Sequence, residues 1–394
     1  MLDGLSIPNI YASKHYKLFI LVPILLLLFG VYMIYFMHAL QYDVTLVGGT
    51  SITLTTNSTM STAALTKAVD MQIPGAGATI ERSPGGISIT LKYNQSLNNA
   101  NNYLNQTNSY FSKYQQEQVD IIAYSNNIAV NPDNSTAQQL MSQAEQNSTM
   151  YTKQINSSFD SEMLLLAPFV KSTQRPPSIS DVVQLASTSY VQASANYKTQ
   201  VLSKIGTIIP FTSASYNQQS PQLSAFFLKE VIQIVIEAFA IAAVVVFIVF
   251  RTPIPSFSVV FGAFNDIIVA LGAMALFGIP LSLSSIGGLL MLIGYSIDTD
   301  MLTAIRILKR NEGTPEERAF STMKTGMTMT FAGIIAFAVL FVVSYIYFIP
   351  TYIQISSVVL FGLTGDLFTT WLGNTPMVLW YKKNRDSRMA QKGI

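Results

Sequence analysis

Long apolar segments alternate with one extended polar region along the chain. A helix needs roughly 20 apolar residues to cross the hydrocarbon core of a bilayer, and six stretches reach that length. They predict transmembrane helices at Leu18–Leu40, about Val231–Phe250, Phe257–Phe277, Leu281 to about Ile305, Met327–Ile349 and Ile353–Trp380. We therefore expect an α-helical membrane protein in which one isolated helix (18–40) precedes a polar region (41–228) and a five-helix transmembrane bundle (229–381).

The first part of the polar region, residues 41–92, has the periodicities of a small α+β domain. Apolar residues alternate in its short runs and recur at helical spacing in one longer run. The predicted elements are a β-rich run from Val44 that continues through Ser51–Thr55, a helix at Ser61–Met71 with Leu65 and Met71 on its apolar face, and a hairpin of Ala78–Arg82 with Ile87–Leu91. These elements predict the first half of an α+β base.

The remainder of the polar region changes character. Residues 94–177 are rich in Asn, Gln and Ser, a composition that leaves little apolar surface for a core. We interpret them as an insertion of polar helices with flexible joints. Ser178 precedes an acid by three residues, which is typical of a capped helix start. A helix from Ser178 to Ile205 and a strand at Ile208–Phe211 are therefore expected to complete the base, at about 178–212.

The composition narrows the class of protein. The 394-residue chain is 50% hydrophobic and 11% charged, whereas an ordinary soluble domain is about 25% charged. Its net charge of +2 gives no basic field for nucleic acid. Cysteine is absent, and His15 and His38 are the only histidines, which argues against disulfides, thiol catalysis and Cys- or His-based metal sites. No P-loop motif is present. We expect no enzymatic activity, no cofactor and no metal.

Basic residues indicate the orientation of the spans. With a cytoplasmic N-terminus, the short outer loops at Gly278–Pro280 and Pro350–Tyr352 carry no Lys or Arg, as the positive-inside rule requires. The basic residues on the inner side are then Lys14, Lys17, Arg251, Arg306, Lys309, Arg310, Arg318, Lys324, Lys382, Lys383, Arg385, Arg388 and Lys392. We expect a multi-pass cell-membrane protein with a cytoplasmic N-terminus (1–17), an extracytoplasmic region (41–228) and a basic cytoplasmic tail (382–394).

Acceptor sequences for N-glycosylation occur only in the region predicted to be extracytoplasmic. The Asn-x-Ser/Thr sites are Asn57, Asn94, Asn105, Asn134, Asn147 and Asn156. Their confinement to that side favours glycosylation of some of them. The alternative is that an Asn- and Ser-rich sequence produces such motifs by chance.

Chemistry in such a protein is expected where ionisable residues enter the bilayer, because their burial there is costly. The candidates for a proton or ion relay are Asp298, Asp300, Lys324, Asp266, Asp366 and Glu237. Asp298 and Asp300 are two residues apart, about 200° around a helix, and so cannot share a face. The alternative is that these acids bond to Ser and Thr on neighbouring helices and only fix the packing.

Small residues mark positions at which membrane helices can approach closely. The candidate packing positions in the fourth and fifth spans are Gly287, Gly288, Gly294 and Gly326. General tolerance of glycine in transmembrane helices is the alternative explanation for some of them.

Several motifs resemble those of one known family. The run from Leu292 to Asp300 resembles the fourth-span signature of archaeal-type SecF, in the SecD/SecF family of the resistance-nodulation-division superfamily. Gly48, Gly49 and Thr50 resemble the Gly-Gly-Thr strand that opens the outer domain of that family. The arrangement of one span, an outer domain and five further spans is also similar. Two further matches are Asn265-Asp266 in the third span and Lys324-Thr325 before the fifth.

The resemblance implies a ferredoxin-like base for the outer domain and a role as an auxiliary subunit of the Sec protein-export machinery. That subunit assists late translocation on the outer face, coupled to the gradient of protons or another ion. The implied partners are a SecD-like six-span subunit, the Sec translocon channel, unfolded exported polypeptide and membrane lipids, and not nucleic acid. The family's functional acid maps onto Asp298 or Asp300, and its basic residue onto Lys324.

Departures from the family pattern keep other readings open. Bacterial relatives have Asn-Asp at Asp298-Thr299 and Arg at Lys324, so either acid can be the titrating one. The insertion at 94–177 has no counterpart in the resemblance. One alternative function is a half-transporter subunit of a resistance-nodulation-division-type exporter of small molecules or lipids. A membrane-anchored scaffold is the other, although an anchor needs one span and no buried acids.

Overall fold

The computed structural model describes residues 8–37, 39–83, 85–171, 174–310 and 312–391. Pro84 of the predicted hairpin turn and Lys392 of the predicted tail lie outside these residues. The chain folds as two compact units. The membrane unit comprises Met1–Gly48, Arg82–Gly86 and Gln222–Ile394, and the polar unit comprises Gly49–Glu81 and Ile87–Pro221.

Helices account for most of the chain. In chain order the elements are α1 (Leu21–Val31), α2 (Val44–Val47), β1 (Gly49–Thr55), α3 (Thr62–Gln72), β2 (Thr79–Ser83), β3 (Gly86–Leu91), α4 (Gln95–Val130), α5 (Ser135–Leu166), α6 (Ile179–Ile208), β4 (Ser213–Gln219), α7 (Pro221–Phe250), α8 (Pro253–Phe277), α9 (Leu283–Lys309), α10 (Pro315–Tyr347), α11 (Pro350–Thr369) and α12 (Thr375–Gln391). A 3₁₀ turn and a π turn flank α1, and a second π turn, Thr370–Asn374, joins α11 to α12.

The six predicted membrane spans are confirmed as helices long and apolar enough to cross a bilayer. They occupy Tyr16–Phe36, Pro221–Phe250, Pro253–Phe277, Leu283–Lys309, Pro315–Tyr347 and Pro350–Met389. The fifth begins well before the predicted Met327, because the Thr314 hydroxyl and the Glu317 carboxylate cap α10 reciprocally. Hydropathy detects only the apolar part of such a helix, so it did not predict the polar first turns of α10.

Three helices form the centre of the membrane unit. About half or more of the apolar stretch is buried in α8 (50%), α9 (50%) and α11–α12 (61%), against 11% in the first span, 6% in α7 and 11% in α10. Glycine permits a close approach of two helix backbones, because a Cβ on Gly272 of α8 would lie 2.6 Å from the Cα of Gly30 in α1. The chain thus builds a central layer of α8, α9 and α11, and α7 and α10 keep broad apolar faces exposed.

The polar unit contains the expected α+β base. Its four-stranded sheet has the order β2-β3-β1-β4, and β1 pairs antiparallel with both β3 and β4. The succession β1-α3-β2-β3, then α6 and β4, is that of a ferredoxin-like fold. One apolar core joins the sheet to both helices. Its fully buried members include Ile52, Leu54, Leu65, Val69, Ile87, Ile89, Val201 and Ile205.

Local details of the base differ from the sequence prediction. The final strand is Ser213–Gln219 and not Ile208–Phe211, because Ile205 and Ile209 are buried at the end of α6 and the helix extends through Ile208. The β-rich run begins only at Gly49, since Val44–Val47 is a helical turn capped by Asp43. A strand as polar as β4 carries almost no apolar alternation for a sequence pattern to detect.

Two side-chain predictions in the helices of the base are also wrong. Ser178 does stand at the N-cap of α6, but its hydroxyl bonds the Ser180 hydroxyl at 2.8 Å and makes no cap bond. Met71 is 68% exposed, and the buried face of α3 consists of Leu65 and Val69. Packing against the sheet therefore selected a face of α3 slightly rotated from the predicted one.

The Asn-rich insertion forms a helical hairpin of α4, with 36 residues, and α5, with 32 residues. A small apolar cluster shared with α6 holds it, in which Leu104, Phe159 and Ala186 are buried. Polar pairs support the pairing of α4 with α5, such as the 2.7 Å bond from Gln118 to Ser148. Long regular helices thus take the place of the flexible joints that the composition suggested.

Several glycosylation candidates have structural hydrogen bonds. Asn94 and Asn134 cap α4 and α5 with their side-chain oxygens, and the Asn147 amide donates to Glu117 at 3.0 Å. Asn156 is half-buried, whereas Asn57 and Asn105 are exposed. Glycosylation stays a prediction, and accessibility favours it at the two exposed sites.

One acid, Glu162 of α5, is fully buried in the polar unit, and neither of its carboxylate oxygens has a hydrogen-bond partner among the described residues. Burial raises the pKa of Glu162 to about 8. Burial, and less strongly the Glu162 charge, also raises the pKa of Tyr190 on α6. Folding therefore favours the protonated form of this carboxyl group.

We expect the Glu162→Gln variant to remove a pH dependence from the stability of the polar unit. Between pH 4.5, the ordinary pKa, and about 8, the folded chain binds a proton that the unfolded chain releases, so stability falls as pH rises. At pH 8 the variant should melt above the parent by at least about 2–4 °C, the shift that 1 kcal/mol produces in a domain of this size. Limited proteolysis of the full-length chain during heating, at pH 5 and pH 8, measures this. Glu145→Gln, an exposed change on the same helix, is the control, and an equal response of both variants would contradict the assignment.

Candidate functional site

Three aspartates from the three central helices meet inside the membrane unit. Asp266 lies on α8, Asp300 on α9 and Asp366 on α11, and all three are completely buried. No Lys or Arg pairs with them in the part of the chain that the structure describes. The surrounding partners are hydroxyl groups, so the cluster is an uncompensated group of acids in an apolar bundle.

Hydroxyl donors hold the first of these carboxyl groups. The Ser296 hydroxyl of α9 donates to Asp266 Oδ2 at 2.6 Å, and the Thr369 hydroxyl of α11 donates to Oδ1. The neighbouring Asn265 amide donates to the backbone oxygen of Pro23 at 3.0 Å, which ties α8 to the first span. Asp266 therefore links three elements of the bundle through its own bonds and those of its neighbour.

A single hydroxyl joins the other two acids. The Thr370 Oγ1 atom lies 2.7 Å from Asp300 Oδ1 and 2.7 Å from Asp366 Oδ1. A hydroxyl has one hydrogen and can donate to only one of them. The second bond forms only when one carboxyl group carries a proton and donates it to Thr370. Thr330 of α10 also donates to Asp366 Oδ2, at 3.4 Å.

The π turn between α11 and α12 produces this arrangement. It places Thr369 towards Asp266 and the adjacent Thr370 towards the other two acids. Asn374, at the end of the turn, donates to the backbone oxygen of Asp300 at 3.4 Å and accepts a bond from Ser258 of α8. A π turn inserts an extra residue into a helical turn and occurs often at functional sites.

Asp300 Oδ2 has no hydrogen-bond partner among the described residues. It points at Gly262 of α8, where a Cβ would lie 2.3 Å from this oxygen. Glycine at position 262 is therefore what leaves space for the carboxyl group between α8 and α9.

The structure separates the six relay candidates into two groups. Asp266, Asp300 and Asp366 form the cluster, whereas Asp298 is exposed on the opposite side of α9. Lys324 places its Nζ 5.1 Å from the ring centre of Phe320 and forms no ion pair within the described residues.

Glu237, the remaining candidate, is exposed on α7 and accepts a 2.8 Å bond from Gln233. Neither Asp298 nor Asp300 forms an ion pair with Lys324 within 4.0 Å in the described part of the chain.

Four residues of the cluster were missed by sequence reasoning: Gly262, Thr369, Thr370 and Asn374. Thr369 and Thr370 follow the membrane-buried Asp366 by three and four residues, and this spacing could have indicated hydrogen-bond donors for an acid. Nothing in the sequence indicates a π turn, however, and a regular helix would turn the two threonines differently.

Two of the four candidate packing glycines lie at close helix contacts and two do not. Gly288 packs against Ile355 and Val358 of α11, and a Cβ on Gly326 would lie 2.4 Å from the Trp371 ring. A Cβ on Gly287 or Gly294 would meet no described atom within 4 Å, so neither is a close-packing position there.

The Gly-Gly-Thr motif has a local structural explanation. Gly48 and Gly49 have φ angles of +82° and +148°, which favour glycine, and they precede strand β1. Thr50 follows as a buried residue of that strand, paired with Leu91 and Gln218.

We expect Gly262→Ala to destabilise the membrane unit because its Cβ would overlap Asp300 Oδ2. Overpacking of this kind costs about 1–3 kcal/mol, and the thermal unfolding midpoint in detergent should fall by several degrees. Gly287→Ala is the matched control, since its Cβ meets no described atom within 4 Å and alanine is the better helix former. If both variants unfold at the parent temperature, Gly262 does not provide the space for Asp300.

The C-terminal part of the chain matches a known protein family. Residues 199–384 match the family described as "Protein export membrane protein SecD/SecF, C-terminal". The Protein-export membrane protein SecF of Methanothermobacter thermautotrophicus is 45% identical over 177 residues, which are 44% of this chain and 61% of that protein. The SecF proteins of Pyrococcus furiosus and Methanocaldococcus jannaschii are 43% and 42% identical, over 40% of this chain in each case and over 52% and 57% of their own lengths.

This chain is also similar to a solved structure of SecDF, a translocon-associated membrane protein from Thermus thermophilus. The similarity extends over 96% of this chain and 60% of the SecDF chain, with a TM-score of 0.47 and 13% identity. The matches to the three archaeal proteins cover between half and two thirds of those proteins. The residues that match the family, 199–384, include the three-aspartate cluster. Residues 199–384 therefore match the SecD/SecF family of protein-export membrane proteins, and the similar proteins named above are archaeal SecF proteins.

Proposed function

We propose that this protein is an accessory subunit of the Sec protein-export machinery that assists late translocation of polypeptides on the outer face of the membrane. The family of residues 199–384 supports the export role. The polar unit, a folded α+β base with a long helical hairpin, supplies a structured surface for a polypeptide that leaves the membrane. The membrane unit supplies the acids through which an ion gradient acts.

The orientation that fits this role has both termini in the cytoplasm and the polar unit outside. The positive-inside rule supports it, because the basic residues of the membrane unit concentrate at the ends assigned to the cytoplasm. Arg306 and Lys309 end α9, and Arg388 lies in the last turn of α12. The same orientation leaves the exposed Asn57 and Asn105 on the outer side.

The shared Thr370 hydroxyl is the observation that carries gradient coupling. With one proton on the Asp300–Asp366 pair, Thr370 bonds both carboxyl groups and holds α9, α11 and the π turn together. Loss of that proton leaves two anions competing for one donor, and like charges in an apolar site repel. The helices then separate until water or another donor reaches the pair, so proton uptake and release move α11 against α9.

The proposed partners are a SecD-like six-span subunit, the Sec channel, unfolded polypeptide and lipids. Broad apolar faces of α7 and α10, which bury 6% and 11% of their apolar stretches, support association within the membrane. Asp298, Glu237 and Lys324 lie at exposed or half-buried positions of the membrane unit. We place their role at the contact with the six-span partner, because a charge that faces lipid is costly.

The test is export of a model polypeptide by the reconstituted complex, with and without an imposed proton gradient. We expect Asp300→Asn to lower gradient-dependent export at least roughly 5-fold, because Asn cannot release a proton. This factor is the lower end of typical coupling between sites. Asp366→Asn should act in the same way. Gradient-independent export should persist.

Asp298→Asn is the matched control, since it makes the same change two residues away at an exposed position. It should reduce gradient-dependent export less than Asp300→Asn does. The coupling mechanism is contradicted if gradient-dependent export is undiminished in all three variants, Asp266→Asn, Asp300→Asn and Asp366→Asn.

A further inference from the structure

Three arginines line one recess at the end of α9 and the start of α10. Arg306 lies in the last turns of α9, Arg310 directly follows that helix, and Arg318 lies in the first turns of α10. The recess has a volume of about 260 Å³. Its other lining residues are Glu312, Gly313, Glu317, Ser321 and Thr322. We call this site the arginine recess.

The three arginines lack ion-pair partners, and two of them lack a hydrogen-bond partner for Nε, among the described residues. None has a carboxylate within 4.0 Å in the described part of the chain. The Nε atoms of Arg306 and Arg318 are buried without a hydrogen-bond partner there, and the Arg306 Nη1 bond to Thr325 is long, at 3.4 Å. Arg306 and Arg318 are half-buried and Arg310 is exposed, and three like charges that line one recess without a paired anion repel one another.

The two acids that line the recess form no ion pair with its three arginines in the described part of the chain, so the recess keeps a net positive charge. Glu317 uses its carboxylate to accept the backbone N–H of Thr314 at 2.9 Å, as part of the cap of α10. Glu312 is exposed and forms no ion pair within the described residues. An anion with several acceptor oxygens would therefore complement the three guanidinium groups of the recess.

We propose that the arginine recess binds a phosphate group, presented by an anionic lipid headgroup or as free inorganic phosphate. Guanidinium groups recognise phosphate through paired, charge-assisted hydrogen bonds. The volume lies below the roughly 300–1,000 Å³ of pockets for drug-sized ligands, so it suits a headgroup and not a nucleotide.

The position of the recess favours the lipid source. It lies where two membrane-spanning helices end, which is the depth of the lipid phosphates, and basic pockets between membrane helices bind anionic headgroups. A bound headgroup would join the end of α9 to the start of α10 through Arg306 and Arg318. The site is separate from the three-aspartate cluster, and none of its lining residues belongs to that cluster.

The experiment measures lipid retention by the full-length chain in nanodiscs that contain phosphatidylcholine with a minor fraction of phosphatidylglycerol. After extraction into detergent, native mass spectrometry counts the bound lipid. We expect Arg306→Gln/Arg318→Gln to weaken phosphatidylglycerol binding by about tenfold or more, the typical effect of losing hydrogen bonds to a charged group. Lys17→Gln/Lys309→Gln removes the same charge from exposed positions outside the recess and should bind like the parent.

A second arm titrates inorganic phosphate against the lipid-free chain and follows it by phosphorus NMR. Arginine-dependent binding in this arm, without selective lipid retention, supports the site and identifies free phosphate as the source. Equal binding of lipid and phosphate by the arginine and lysine variants overturns the proposal.

Folding of each variant is checked by its thermal unfolding midpoint. Arg306→Lys/Arg318→Lys keeps the charge and lacks the planar fork, so it tests the site even if the glutamine variant does not fold. It should bind more weakly than the parent, and binding equal to that of the parent would overturn recognition by the arginine forks.

Discussion

The membrane unit depends on one hydroxyl group that serves two buried acids. Thr370 has a single hydrogen, and Asp300 and Asp366 both lie within bonding distance of its oxygen. The geometry is satisfied only when one of the acids is protonated. In the proposed mechanism this constraint makes the packing of the central helices depend on whether the Asp300–Asp366 pair carries a proton.

Other features of the membrane unit follow from the need to hold that cluster. Gly262 leaves space for the second oxygen of Asp300, and the π turn brings Thr369 and Thr370 to different carboxyl groups. Ser296 and Asn374 extend the hydrogen bonds to α8 and α9. The most buried helices are therefore the ones that carry the acids, whereas α7 and α10 retain exposed apolar faces.

The polar unit was predictable where apolar residues recur, and unpredictable where they do not. Strand β3 and helix α3 were found from their periodicity, because each buries one face. Strand β4 was missed, since Ser213–Gln219 is almost entirely polar and is a strand because its backbone pairs with β1. The Asn-rich hairpin was predicted only as helical and polar, because the length of its helices depends on contacts between α4 and α5.

The sequence by itself determined six membrane spans, an α+β base and a short set of acids inside the bilayer, because hydropathy and periodicity are local properties. It did not distinguish Asp298 from Asp300, which are two residues apart in sequence and on opposite sides of the helix. Only the tertiary structure decided that Asp300 joins Asp266 and Asp366, that Lys324 forms no ion pair with them among the described residues, and that three arginines line one recess. The physical reason is that side-chain direction depends on helix rotation and on a π turn, and both are set by packing between distant segments.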